Sequence, residues 1–357
     1  FYQRKGPPSE PDLALEPREN LYCTATGSIR ESRQGDTLLS RIAKRQALLP
    51  PVLPEPSGDT ATEGFRRSTI GQIRQLLHLR KETGTLGIRA LVTTPRHGYR
   101  VEKVEFLSEP GIYLPVWVFV PENVTSSVPV LYVSDRGIES EGLEFGPVEA
   151  LAKAGRIVAA VDVRGIGETQ PPHPDAGGPN EFRHLDSVET AMSYMAWEMD
   201  ESLFGMRVQD VRRSVDFLEQ RTGAGDGGVH AIGKGRGALW VLFAMALDSR
   251  IQAAVCEQGL LSYRTLTASD RYLHSADIFI PSVLQHLDLP QVAAASVPRR
   301  LSLIAPVDAM KRPVAAAVAS RAYEWANRVY ANADARDRFR IIPPERIVRA
   351  EDYLGLF

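Results

Sequence analysis

The stretch from Val229 to Leu247, Val-His-Ala-Ile-Gly-Lys-Gly-Arg-Gly-Ala-Leu-Trp-Val-Leu-Phe-Ala-Met-Ala-Leu, decides how the rest of the chain is read. The residues Val229 to Ile232 predict a short buried strand. Gly233, Gly235 and Gly237 then predict a tight turn, since glycine accepts backbone angles and close approaches that other residues resist. The apolar residues from Ala238 to Leu247 predict a helix with an apolar face. Strand, Gly-rich turn and helix in this order form one unit of an α/β architecture. The glycines make no phosphate loop, because Gly-Lys-Gly-Arg-Gly lacks both the long Gly-to-Gly spacing and the Lys-Ser/Thr pair. They are also a poor dinucleotide fingerprint, with Gly-x-Gly-x-Gly spacing and a late place in the chain.

Outward from that unit, further strands and helices follow from periodicity. Residues 99–107 alternate and residues 113–120 are β-rich, and the turn at 108–111 between them predicts an antiparallel hairpin. Residues 128–133 form a continuous apolar run, as expected of a strand buried on both faces. A helix over 144–155 and a buried strand over 157–161 complete a βαβ unit, so a parallel sheet begins here. A polar, Pro-rich insertion reaches about Phe182, and 206–221 is a helix with Val208, Val211, Val215 and Leu218 on one face. Beyond the Gly-rich turn, strands are predicted at 251–255, 301–305 and 338–342, with a helix over 313–330 that opens on Pro313. The first 64 residues are rich in Pro and Gly. A helix over 36–49 carries Leu38, Leu39, Ile42 and Ala43, and another over 64–80 carries Ile70, Ile73, Leu76 and Leu77.

Composition narrows the function. With 357 residues and 43% apolar content, the chain has the make-up of an ordinary globular protein; its mean hydropathy is -0.18. A net charge of -2 and the lack of a Lys/Arg-rich run argue against nucleic-acid and anionic-membrane partners. No apolar run reaches bilayer-spanning length. The start, Phe1-Tyr-Gln-Arg-Lys5, has neither an initiating Met nor the apolar core of a signal peptide, so a mature or truncated chain is expected. Cys23 and Cys256 fit no metal-ligand spacing, and their pairing is left open. His173, His184 and His230 have no partner at metal-ligand spacing, so no metal and no cofactor are expected.

The order of elements, with two antiparallel strands first and the Gly-rich turn late, resembles the α/β-hydrolase fold. Asp162-Val-Arg-Gly-Ile-Gly-Glu-Thr169 is similar to the Asp-x-Arg-Gly-x-Gly segment of bacterial acetyl xylan esterases. Val297-Pro-Arg-Arg-Leu301, followed by Pro306-Val307-Asp308, is similar to their stretch leading to the triad acid. The resemblance covers roughly residues 99–342. It implies an α/β-hydrolase fold: a mostly parallel central sheet with helices on both faces and an N-terminal extension. Residues 1–88 are then the extension packing on the core, and residues 89–357 the α/β-hydrolase-like domain.

Carried over by position, the resemblance puts Gly235 where the family's Gly-x-Ser-x-Gly elbow has its serine. Glycine offers no atom to attack an acyl carbon, so covalent acyl transfer is excluded there. Asp308 holds the acid position, which is vestigial without its partners. The base should be a His after the last strand, yet His286 is the last histidine and precedes Asp308. Backbone donors at Asp135 and Arg136, with the amide of Arg236, would still make an anion or carbonyl pocket, and Lys234 joins them as a pocket residue. Arg164 and Glu168 either contact a ligand or form an ion pair that pins their loop. Cys256 reads as a buried structural cysteine. The resulting expectation is an esterase-like domain without Ser/His catalysis that binds a carbohydrate or acylated polysaccharide, or serves beside an adjoining catalytic domain. The alternative is an active carbohydrate-ester hydrolase with a relocated nucleophile. The resemblance also implies a secreted or periplasmic setting.

Overall fold

The computed structural model describes residues 13–33, 35–49, 55–79, 84–170, 188–223, 227–343 and 350–357. The chain divides into two compact units, residues 1–48 and 49–357. The first holds helices α1 (Ile29–Arg33) and α2 (Leu38–Ala47), neither of which buries a residue. A capping box starts α2: the Thr37 side chain accepts from the Ser40 amide at 3.1 Å and the Ser40 hydroxyl accepts from the Thr37 amide at 2.9 Å.

The second unit opens with α3 (Asp59–Leu76), whose buried residues Thr62, Thr69, Ile73 and Leu76 recur at helical spacing. Its sheet has nine strands: β1 (Arg89–Arg96), β2 (Tyr99–Glu109), β3 (Ile112–Pro121), β4 (Ser126–Ser134), β5 (Arg156–Val161), β6 (Val229–Lys234), β7 (Ile251–Glu257), β8 (Arg300–Ile304) and β9 (Phe339–Ile342). Their order is β1-β2-β3-β5-β4-β6-β7-β8-β9. β1, β2 and β3 pair antiparallel, as do β3 and β5, and every pairing from β5 to β9 is parallel. The order reverses at β4, so a crevice opens beyond the carboxyl ends of β4 and β6.

Helices α4 (Ile138–Glu141), α5 (Pro147–Lys153), α6 (Val188–Glu198), α7 (Leu203–Thr222) and α8 (Arg236–Leu247) follow the strands in turn. Then come α9 (Tyr263–Thr267), α10 (Leu289–Ala294), α11 (Ala316–Ala322) and α12 (Glu324–Asn332). Alternate side chains of β4 feed two cores, Leu131 and Val133 toward α7 and α8, and Val130 and Tyr132 toward α5 and the C-terminal segment. Helices therefore cover both faces, as the sequence predicts.

Four details depart from the sequence reading. β1 is a strand that periodicity misses, because seven of its eight residues are exposed and no buried alternation exists to be seen. The sequence reading assigns no helix at α6, which forms beside the Pro-rich insertion. α8 is buried at every position from Gly237 to Leu247, so it is apolar all round and not on one face. The helix expected over 313–330 is two, α11 and α12, and starts late. Pro313 instead bridges Val307, and the Val314 amide donates to Pro306 O at 2.8 Å.

Candidate functional site

The turn between β6 and α8 is built by its glycines. A Cβ at Gly233 would lie 2.7 Å from Ala238 Cα, and one at Gly237 would meet Val133 O, so both positions keep helix and strand in close contact. Gly235 has φ 59° and ψ -124°, a conformation costly for any residue with a side chain. The sharp elbow turn is therefore formed with glycine at its central position.

The space above Gly235 is already taken. A Cβ built there would sit 2.6 Å from Asp135 Cγ and Oδ2, and closer still to Oδ1. Asp135 leaves the end of β4 and turns its carboxylate onto the elbow. Its Oδ2 accepts from the Arg236 amide at 3.2 Å and from Arg236 Nε at 3.3 Å. The backbone donors expected to form an anion pocket have partners in the chain. The Arg236 amide is bound to Asp135, the Arg136 amide donates to Ser134 Oγ at 3.1 Å, and the Asp135 amide donates to Lys234 O at 3.4 Å. All three donors are satisfied within the chain, which leaves none directed at a substrate oxyanion.

Arg236 is the electrostatic hub. Its guanidinium lies 2.7 Å from Asp277 Oδ2 and 3.4 Å from Glu189 Oε1. Asp277 also pairs with the fully buried Arg207. Burial alone would lower the Arg236 pKa, but the carboxylates of Asp277, Asp135 and Glu189 more than offset it and raise it.

Beside the elbow lies a cavity of about 230 Å3. Its polar wall comprises Asp135, Arg236, Gln258, His274 and Lys311, and Leu239, Leu260, Val307 and Pro313 supply apolar wall. Lys234 and Arg136, both expected in the pocket, are not among its lining residues. Lys234 Nζ is 3.6 Å from Glu141 and 3.9 Å from Glu257, within a cluster where Tyr132 and Ser134 donate to Glu141 and Tyr353 donates to Glu257. Arg136 is exposed.

Asp308 stands after β8, where the acid was expected, but its carboxylate serves its own turn. Oδ1 accepts from the amides of Met310 at 2.8 Å and Arg312 at 2.9 Å. Its carbonyl accepts from the Lys311 amide and, at 3.0 Å, from His274 Nε2. His286 is exposed. The imidazole that does reach the cavity is His274, which the sequence reading missed. Chain order directed the search beyond Asp308, and His274 lies in an irregular stretch before it with no periodicity to mark it. Because Nε2–H donates to a carbonyl, Nδ1 carries the lone pair. Burial lowers the His274 pKa, the Asp308 hydrogen bond opposes this, and the Lys311 charge lowers it further.

The remaining sequence candidates are structural. The Asp162 carboxylate accepts from the Ile138 amide at 2.7 Å and the Glu168 amide at 2.9 Å, and a Cβ at Gly167 would come within 2.6 Å of it. Arg164 holds Asp210 through Nε at 2.9 Å and a second nitrogen at 2.6 Å, and also reaches Glu109. Arg164 thus pins the loop through Asp210 and Glu109, and Glu168 takes no part in that pairing. Glu168 is exposed. Cys256 is buried, which pushes its thiol well up, and Cys23 is exposed; both are free. His230 accepts from Arg156 at 3.0 Å through Nδ1. His173 and His184 lie outside the described residues. Among the described residues no cluster of His, Cys, Asp or Glu is arranged to hold a metal ion, and no helix is long and apolar enough to cross a membrane.

A family model described as "Abhydrolase family" matches residues 59–340. Among solved structures, a candidate acetyl xylan esterase from Bacteroides fragilis superposes with a TM-score of 0.68 at 18% identity, over 90% of this chain and 85% of the other. A glucuronoyl esterase from Solibacter usitatus gives a TM-score of 0.56 at 14% identity, over 84% and 94%. A glucuronoyl esterase from Teredinibacter turnerae gives 0.55 at 17%, over 84% and 85%. At these identities the likeness is one of fold. A search of curated proteins finds no match.

Proposed function

The chain belongs to the Abhydrolase family, an α/β-hydrolase family, and on that basis we propose that it is a carbohydrate-esterase-type domain that binds in its crevice without acyl transfer from a serine. One observation carries this reading: the Asp135 carboxylate fills the nucleophile's place and occupies the Arg236 amide. An oxyanion would have to displace a charged group already hydrogen-bonded there. The neighbours' names, acetyl xylan esterase and glucuronoyl esterase, supply the ligand class, an acylated or uronoyl saccharide. The same proposal places the domain outside the cytoplasm, next to a catalytic domain or partner that acts on the polysaccharide.

A second reading, hydrolysis through a relocated nucleophile, is favoured by a carboxylate, Asp135, and an imidazole, His274, lining one cavity. Against it stand the Arg236 hydrogen bonds, which lower the nucleophilicity of that carboxylate.

The experiment is hydrolysis of 4-nitrophenyl acetate and acetylated xylan by the native chain, Gly235→Ser, and Asp135→Ala/Gly235→Ser, with acetylated xylo-oligosaccharide binding measured calorimetrically. The native chain and Gly235→Ser should bind and not turn over. Turnover by the native chain that disappears in Asp135→Asn would establish the second reading instead.

A further inference from the structure

The turn that once followed the acid position now presents a cation to the cavity. Lys311 lines the cavity wall and has φ 58°, in the left-handed region that disfavours residues with a Cβ. Such a conformation persists only where its surroundings hold it, and the hold is visible. Asp308 Oδ1 binds the amides on both sides of Lys311, those of Met310 and Arg312, and the Asp308 amide donates to Arg312 O at 2.9 Å. Below the turn, Val307 bridges both Leu260 and Pro313. Gln258, at the end of β7, is a second cavity residue in the left-handed region, with φ 55°, and its amide donates to Ile304 O at 2.9 Å. Two polar residues that line the cavity are thus fixed in unfavourable backbone conformations.

The charges around the cavity are unequally matched. Arg236 is matched by Asp135 and Asp277, whereas no carboxylate among the described residues lies within 4.0 Å of Lys311 Nζ. Part of the lining, Leu239, Leu260 and Val307, is aliphatic. A cavity lined both by an exposed lysine and by aliphatic side chains suits an amphipathic anion, with its charge at the cation and its carbon skeleton against the aliphatic part.

We propose that this cavity binds a small organic carboxylate, with Lys311 holding the carboxylate, Leu239, Leu260 and Val307 packing its carbon skeleton, and Asp308 acting as the positioning residue for Lys311. The proposal rests on the reading of the crevice as a binding site. A short acyl acid and a uronic acid unit share this chemistry, and both are ring-sized or smaller, in keeping with about 230 Å3.

The test titrates butyrate, glucuronate and neutral methyl glucoside into the native chain, Lys311→Gln, Lys311→Arg, Asp308→Ala and Asp308→Asn by calorimetry, with thermal melts to verify folding. The native chain should bind a carboxylate, with methyl glucoside at least tenfold weaker. Lys311→Gln should weaken binding about tenfold, as expected for losing one charge-assisted contact, and Lys311→Arg should retain most of it. Asp308→Ala should weaken binding while Asp308→Asn, which keeps the acceptor oxygen, should not. Preference for butyrate identifies an acyl acid, and preference for glucuronate a uronic unit. The proposal is overturned if no carboxylate binds, or if folded Lys311→Gln binds as the native chain does. Binding of acetylated xylo-oligosaccharide without carboxylate binding would sink this assignment alone. Ester turnover by the native chain would sink the non-catalytic reading and leave carboxylate binding standing.

Discussion

Gly235→Ala is the most direct probe of the filled elbow. The methyl group would be placed 2.6 Å from Asp135 Cγ and Oδ2, far inside van der Waals contact, so Asp135 must leave. Holding alanine at φ 59° and ψ -124° costs about 1–3 kcal/mol. Displacing Asp135 breaks its hydrogen bonds to the Arg236 amide and Nε, a charged interaction worth about 1.5–3 kcal/mol. The total loss is on the order of 2.5–6 kcal/mol, the sum of these two contributions. In an Asp135→Ala background only the backbone contribution remains. Urea unfolding of the four proteins in a double-mutant cycle should therefore give a coupling of about 2 kcal/mol between positions 135 and 235. A coupling below about 0.5 kcal/mol, the usual limit for independent sites, would refute the reasoning.

Two other predictions concern the residues assigned to scaffolding. Burial raises the Asp162 pKa to about 6, although two backbone amides oppose the shift. The folded state then keeps this proton where the unfolded chain, with a pKa near 3.8, has released it. Its contribution is full below pH 3.8 and is lost as pH rises through 6. The stability gap between the native chain and Asp162→Asn should shrink by about 2–3 kcal/mol from pH 4 to 7; a gap that widens over that range contradicts the assignment. Arg164→Ala strands the fully buried Asp210 carboxylate and should destabilise by about 3–5 kcal/mol. Because Arg164 does not line the cavity, carboxylate affinity measured on folded protein should not change.

What the sequence could reveal follows from burial. Strands β4 to β8 were legible because their central residues are buried on both faces, which writes a continuous apolar run. β1 was not, since it is solvated on both. The elbow was legible because three glycines at alternate positions have few other uses. The direction of the Asp135 side chain was not. Its position after β4 follows from element order, but its rotamer is set by a vacancy on another strand, created by the lack of a side chain at residue 235. His274 was hidden for a related reason: it reaches the cavity through a backbone carbonyl of Asp308, and a carbonyl leaves no trace in residue identity.

Glycine at 235 and aspartate at 135 stabilise one another's place in the fold. With a side chain at 235, the elbow carries backbone strain of about 1–3 kcal/mol, which glycine removes. The freed volume admits the Asp135 carboxylate, which then satisfies the Arg236 amide that a substrate oxygen would otherwise need. Restoring a serine alone brings back the strain and collides with Asp135. Removing Asp135 alone leaves the buried guanidinium of Arg236 with one fewer of its nearby carboxylates. Each single step toward a serine elbow is uphill, so glycine at 235 and the Asp135 carboxylate hold one another in place by packing and charge together. After the double change the imidazole lining the cavity is still His274, whose Nε2 is held by the Asp308 carbonyl, while the Asp308 carboxylate stays committed to its turn.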